Sequence, residues 1–185
     1  MKNLLKLSTF CIFLLIVSCT SQGSTESSES ANNKASVAGQ SAVQDNVSNP
    51  NIVQVALESK DHTTLVTAVK TAELVDVLSN AGPFTVFAPT NEAFAKLPAG
   101  TVEGLLKAEK KETLTDILQY HVSVGVYKAE SLKDGQILGQ VNGGNIKVTI
   151  VGGKILINGK AHIIASVPAS NGIIHIIDEV LLPAQ

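Results

Sequence analysis

Four histidines, a pair of adjacent carboxylates and two cysteines are the residues of this chain whose types could do chemistry. His62, His121, His162 and His175 stand far apart, with no pair at i, i+4 spacing and no Asp or Glu placed to complete a triad, so the pattern argues against a metal site. Asp178 and Glu179 could act as acid and base, but inside a strand adjacent side chains leave on opposite faces. One of the two is expected to be buried or bonded to a backbone amide. The chain has no Gly-x-Ser-x-Gly elbow and no phosphate-cradling glycine loop. The expectation is no catalytic residue, no metal and no cofactor, and so no enzyme.

The cysteines point elsewhere. Cys11 and Cys19 both precede Thr20, in a segment with Lys2 and Lys6 at its start and an apolar run from Leu7 to Val17, too short to span a bilayer comfortably. Ile16-Val17-Ser18-Cys19 resembles a bacterial lipobox. Residues 1–18 then read as a signal peptide, with Cys19 lipidated and the membrane as a partner through that anchor. The mature chain would hold no thiol, which removes disulfides, thiol catalysis and Cys-based zinc sites together. Thr20 after Cys19, rather than Asp, favours the outer membrane under the sorting preference of enterobacteria. The domain would then face the periplasm or be exposed at the cell surface.

Charge excludes a further class. There are 14 cations against 16 acidic residues, and Arg is absent. Loss of Lys2 and Lys6 leaves 12 cations against the same 16. Such a surface lacks the basic stripe that releases counterions from nucleic acid, so nucleic acid is excluded as a partner.

The elements that must position these residues occupy the C-terminal part. Residues 19–50 are rich in Ser, Asn, Gln and Gly and lack aromatics, the composition of a disordered tether with a reach of about 30 Å. Residues 51–185 suit one domain. Its centre is Gly82 to Leu97, which holds three of the five Phe residues, Phe84, Phe87 and Phe94. Phe84, Val86 and Phe87 read as a strand, Pro89 ends its ladder, and Thr90 or Asn91 caps the helix that follows, where Phe94 and Leu97 face inward. Short amphipathic helices are predicted at Ile52–Leu57, at Leu65–Val69 behind an Asp61 cap, at Leu74–Leu78, at Val102–Leu106 and at Leu114–Leu118. From Tyr120 the pattern changes to Ile/Val runs separated by Asn-Gly and Gly-Gly turns. Strands are expected at Gln136–Val141, Ile146–Val151, Lys154–Asn158, Ala161–Val167 and Gly172–Leu182. Helices first and strands after make the class α+β.

Three segments carry a resemblance to the fasciclin domain family: Thr85-Val86-Phe87-Ala88-Pro89-Thr90-Asn91-Glu92-Ala93-Phe94, then Leu118-Gln119-Tyr120-His121-Val122 with Gly125 and Tyr127, then Asn171 to Pro183. The resemblance implies a wedge of two antiparallel β-sheets with short helices packed N-terminally and along one side. It implies adhesion, or binding of a cell-surface, matrix or periplasmic protein, alone or with weak self-association. The motif residues Thr90, Asn91, Tyr120, His121, His175 and Asp178 are the candidate interaction or structural positions. Tyr120 and His121 lie where animal members have been linked to receptor binding. If that pair is buried, it shapes a surface only through the loop Val122 to Tyr127. His121 and His175 are expected to be buried on backbone carbonyls, His62 to be at the surface, and Asp178 to hold the loop at Thr90 and Asn91. Because some members bind apolar pigments, the alternative is a small apolar ligand in a groove lined by Ile146, Val148, Ile155 and Ile157, although those four read more simply as core.

Overall fold

The computed structural model describes residues 49–183. The signal segment, Cys19 and almost all of the tether lie outside the described residues. Among the described residues, six α-helices, α1 (Ile52–Glu58), α2 (Thr63–Thr71), α3 (Val75–Ser79), α4 (Asn91–Ala95), α5 (Thr101–Leu105) and α6 (Lys111–Tyr120), accompany seven strands. The strands are β1 (Phe84–Pro89), β2 (Val122–Val124), β3 (Ile137–Gly139), β4 (Asn145–Val151), β5 (Lys154–Ile157), β6 (Ala161–Ala169) and β7 (Gly172–Ile177). The class is α+β.

Hydrogen bonds join the strands in one order, β2-β1-β7-β6-β5-β4-β3, rather than in two separate antiparallel sheets. One pair, β1 with β7, is parallel, in the register Phe84↔Gly172 through Pro89↔Ile177. The chain's last strand thus lies beside its first, and everything between is the crossover that parallel pairing demands. The far edge returns to the near one: Val141 N donates to Val122 O at 2.8 Å, and Gln140 Nε2 donates to the buried Ser123 Oγ at 2.8 Å. Little edge is left open to another strand.

β1 and β7 are covered on both faces. Val86, Ala88 and Ile174 join one core cluster with Ile52, Leu65, Leu78 and Leu118 from the helices. Phe87 and Ile177 join a second with Leu138, Ile146, Val148 and Ile157 from the other strands. Burial on both faces is why these two strands read as unbroken apolar runs without alternation. Their backbones approach closely where the pair begins. A Cβ at Gly82 would collide with the Asn171 carbonyl, and one at Gly172 with the Phe84 carbonyl, so both positions need glycine.

The last expected strand is shorter than predicted. β7 stops at Ile177, opposite Pro89, because its parallel partner ends there, and Asp178 and Glu179 lie beyond it. They are therefore not residues of a strand. Pro89, with no N–H to donate, takes the end position of β1, where the ladder needs none.

Caps explain where the helices begin. Asn51 and Gln54 form a reciprocal box on α1, with Asn51 Oδ1 accepting from Gln54 N at 2.9 Å and Gln54 Oε1 accepting from Asn51 N at 2.8 Å. Thr90 Oγ1 accepts from Ala93 N at 3.2 Å and starts α4. Asp61 does not cap α2; it falls within a short 3-10 turn, Lys60–His62, ahead of that helix. Asn91 does so from a distance, its Oδ1 accepting from Thr64 N at 3.0 Å.

Asn171 ties the N-terminal helices to the parallel pair. Its Oδ1 accepts from Ile52 N at 3.0 Å, and its Nδ2 donates to Leu78 O and Asn80 O, each at 2.8 Å. Asn171→Ala leaves these buried groups unpaired and is expected to lower the unfolding free energy by about 2–3 kcal/mol. Asn142→Ala, at a half-buried turn whose side chain meets Asp116, should lower it by less than about 1 kcal/mol. Urea denaturation of both variants checks the contrast.

Candidate functional site

The six motif residues do not converge on one site. Thr90 and Asn91 sit at the end of β1 and are occupied with starting helices. Besides Thr64 N, Asn91 Oδ1 accepts from Thr63 Oγ1 at 3.2 Å, and its Nδ2 donates to Lys60 O at 3.0 Å. Tyr120 ends α6 with its ring in the second core cluster. Its hydroxyl donates to Asn145 O at 2.8 Å and accepts from Asn158 Nδ2 at 3.1 Å, so it fastens α6 to the β4–β5 hairpin.

His121 and His175 have their tautomers set by their partners. His121 Nδ1 lies 2.7 Å from Ile117 O. A carbonyl only accepts, so Nδ1 carries the proton and Nε2 accepts from Leu181 N at 3.0 Å. Complete burial lowers the pKa of His121 to about 4, against a smaller opposing effect of the Ile117 carbonyl. His175 Nε2 likewise donates to Tyr127 O at 2.7 Å, leaving Nδ1 to accept from Ser166 Oγ at 2.8 Å. Its ring lies 5.5 Å from that of Phe87, its register partner. Burial lowers the pKa of His175, with the Tyr127 backbone and Glu130 opposing.

His62 is buried, not at the surface, at 4% exposure. The 3-10 turn before α2 rolls it inward, where Nδ1 meets Ser59 Oγ at 2.7 Å. Its Nε2 has no hydrogen-bond partner. Desolvation lowers its pKa, and Asp61 and the nearby Ala88 backbone offset this only in part.

Asp178 faces His162 rather than the loop at Thr90 and Asn91. Its Oδ1 accepts from His162 N at 2.7 Å and its Oδ2 lies 3.0 Å from His162 Nδ1. The loop is met by the backbone instead, with Thr90 N donating to Ile177 O at 3.2 Å. Partial burial pushes the Asp178 carboxyl up, but the two His162 hydrogen bonds and the charges of His162 and Lys96 outweigh it, and the pKa ends below the usual value. Among the described residues, no three His, Cys, Asp or Glu side chains gather as a metal set.

Sequence reasoning missed Thr85, which is fully buried and builds the loop after β2. Thr85 Oγ1 donates to Gly125 O at 2.7 Å and accepts from Tyr127 N at 2.9 Å. Gly125, at φ 124°, turns the chain between these two bonds. Val124 and Val126 are thereby held outward, 64% and 48% exposed. A threonine in an apolar strand was the available signal, a hydroxyl in need of a partner. Of the four residues expected to line a ligand groove, Ile146, Val148 and Ile157 are buried in the second core cluster and Ile155 packs against it. That groove is filled.

A fasciclin domain model matches residues 60–183. Protein sll1483 of Synechocystis sp. is 50% identical over 132 residues, covering 71% of this chain and 73% of that protein. Periostin of Homo sapiens is 33% identical over 133 residues, covering 71% of this chain and 16% of periostin. The FAS1 domain pair of the insect cell adhesion molecule Fasciclin I has the same fold, with a TM-score of 0.64 at 23% identity over 72% of this chain and 51% of that one.

Two predictions come from the histidine and carboxylate geometry. His121 binds a proton near pH 6.5 when unfolded and at about 4 when folded, so its contribution is complete above 6.5 and is lost as pH falls towards 4. Urea titrations in steps from pH 7 to pH 4 should show a loss on the order of 3 kcal/mol from this residue, with His62 and His175 acting in the same direction. A flat profile would exclude this. Asp178→Ala, which frees the His162 N–H at a partly exposed site, is expected to cost about 1 kcal/mol, and Asp178→Asn less, because its amide oxygen still accepts; unfolding midpoints at neutral pH compare the two.

Proposed function

The chain belongs to the fasciclin domain family, and from that premise we propose that it is an extracytoplasmic interaction module, held at the cell envelope by lipid on Cys19, that binds a cell-surface, matrix or periplasmic protein. The family includes domains of an insect cell adhesion molecule. The observation that carries the reading is the loop after β2. Exposed valines at the end of β2 and on the loop after it, fixed from beneath by hydrogen bonds to the buried Thr85, present apolar area at little cost in ordering on binding. His175 and Thr85 serve this surface from below by pinning Tyr127 and the chain around it. The module is a binder and not an enzyme. Outer-membrane anchoring through Cys19 and a tether of residues 19–50 complete the reading.

A second reading, binding of a small apolar ligand, is favoured by one observation. Between the helices and the β1–β7 face lies an apolar cavity of about 210 Å³, open at one side, distinct from the groove expected at Ile146 to Ile157.

Protease shaving of intact cells tests the main reading, with a periplasmic protein as the leak control. Removal of the domain while the control survives is expected for outward adhesion. Protection until the outer envelope is opened would overturn adhesion to other cells and leave a periplasmic partner. Val126→Lys, at an exposed position, is expected to weaken attachment roughly tenfold or more, a hot-spot effect, with no change in Tm.

A further inference from the structure

The cavity between helices and sheet has a chemistry of its own. It is an apolar cleft of about 210 Å³ that opens to solvent on one side. Val86, Val122 and Ile174 form its floor on the sheet, and Ile52, Leu65 and Leu78 its wall on the helices. Val77, Val124 and Val141 also line it and are 53%, 64% and 46% exposed, so they mark its mouth. The space is larger than the roughly 150 Å³ dry cavity that takes benzene, and smaller than the roughly 300–1,000 Å³ of pockets for drug-sized ligands. A slim chain suits it better than a broad ring system.

The lining offers a ligand very few polar groups. His121 is already committed through both ring nitrogens, to Ile117 O and Leu181 N. Lys70 is the single charged residue among those that line it, is exposed, and makes no ion pair among the described residues. An apolar cleft whose one charged lining residue makes no ion pair among the described residues fits a ligand that has a hydrocarbon tail and one negative head. We propose that the cavity holds the tail of a free fatty acid, with its carboxylate at the Lys70 ammonium. This rests on the apolar-ligand reading above and narrows it to an anionic single-chain lipid. Lys70 supplies a point charge suited to a carboxylate, and the exposed valines at the mouth cover the first methylenes of the chain.

The test uses the full chain in washed membranes, with two photoreactive probes of equal length: a fatty acid bearing a terminal diazirine, and the corresponding alcohol. After irradiation, labelled peptides are mapped by mass spectrometry, with excess dodecanoate as competitor. The acid probe is expected to label peptides of α1 and β2, to be displaced by dodecanoate, and to label Lys70→Gln roughly fivefold less, the scale of one partly exposed charge pair. The alcohol should label the native chain and Lys70→Gln alike. Ala56→Phe, at a half-buried lining position, should reduce labelling by both probes, and the unchanged protease resistance of each variant shows that it folds. Equal labelling by acid and alcohol, insensitive to Lys70→Gln, would overturn the fatty-acid assignment while leaving the apolar-ligand reading standing. Absence of label from α1 and β2 with either probe, or labelling unaffected by Ala56→Phe, would overturn both.

Discussion

The parallel pairing of β1 with β7 is the constraint on which the rest of the domain depends. Both strands are covered on both faces, so water is absent and every backbone group must find a protein partner. β2 supplies one flank of β1, and β6 one flank of β7. Because Phe87 must meet His175 across most of the domain, the chain orders a long crossover before that contact forms, an entropic demand characteristic of non-local pairing. Local devices lighten it: the capping box on α1, the Thr90 cap on α4 and the Asn-Gly turns each fix a few residues without help from afar.

Buried polar side chains then act as connectors between elements that apolar packing alone would let slide. Asn171 joins α1 and the end of α3 to the start of β7, Tyr120 joins α6 to a hairpin, and His121 joins α6 to the segment after β7. Each connector has a geometry that a hydrophobic contact lacks. The histidines suit this work because a neutral imidazole both donates and accepts, and burial keeps them neutral. A proton on His121 Nε2 would point at the Leu181 N–H, so that link is lost when the ring is protonated. Thr85 and His175, from the core, set the shape of the exposed loop after β2 by bonding Gly125 and Tyr127.

The two core clusters are unequal. Phe87 and Tyr120 bring aromatic bulk to the cluster among the strands. The buried members of the helix-side cluster are aliphatic, with Ala68, Ala72 and Ala88 among them. Small side chains on short helices facing a sheet leave space, and the cavity lies on that side.

How much was legible in the sequence follows from the range of the physics involved. The start of α4 at Thr90, the cluster of turns after Tyr120 and the α+β class are fixed by neighbours within a few residues, so a linear reading finds them. The family signatures, too, lie in continuous segments. The same local reading put a cap at Asp61, His62 at the surface and Asp178 against Thr90, and the first and last of these depend on a residue far away in the chain. Asn91 takes the cap because α4 is folded against the start of α2, His62 turns inward with the 3-10 turn that carries it, and Asp178 finds His162 because β7 lies beside β6. The sequence by itself determined most of the helices and strands, since propensity and capping are short-range, but not β2 at Val122–Val124, read as loop, or the end of β7 at Ile177. The parallel pair, the partners of the polar side chains and the cavity beside Lys70 were decided only by tertiary structure, because burial and hydrogen bonding join atoms by distance in space and not along the chain.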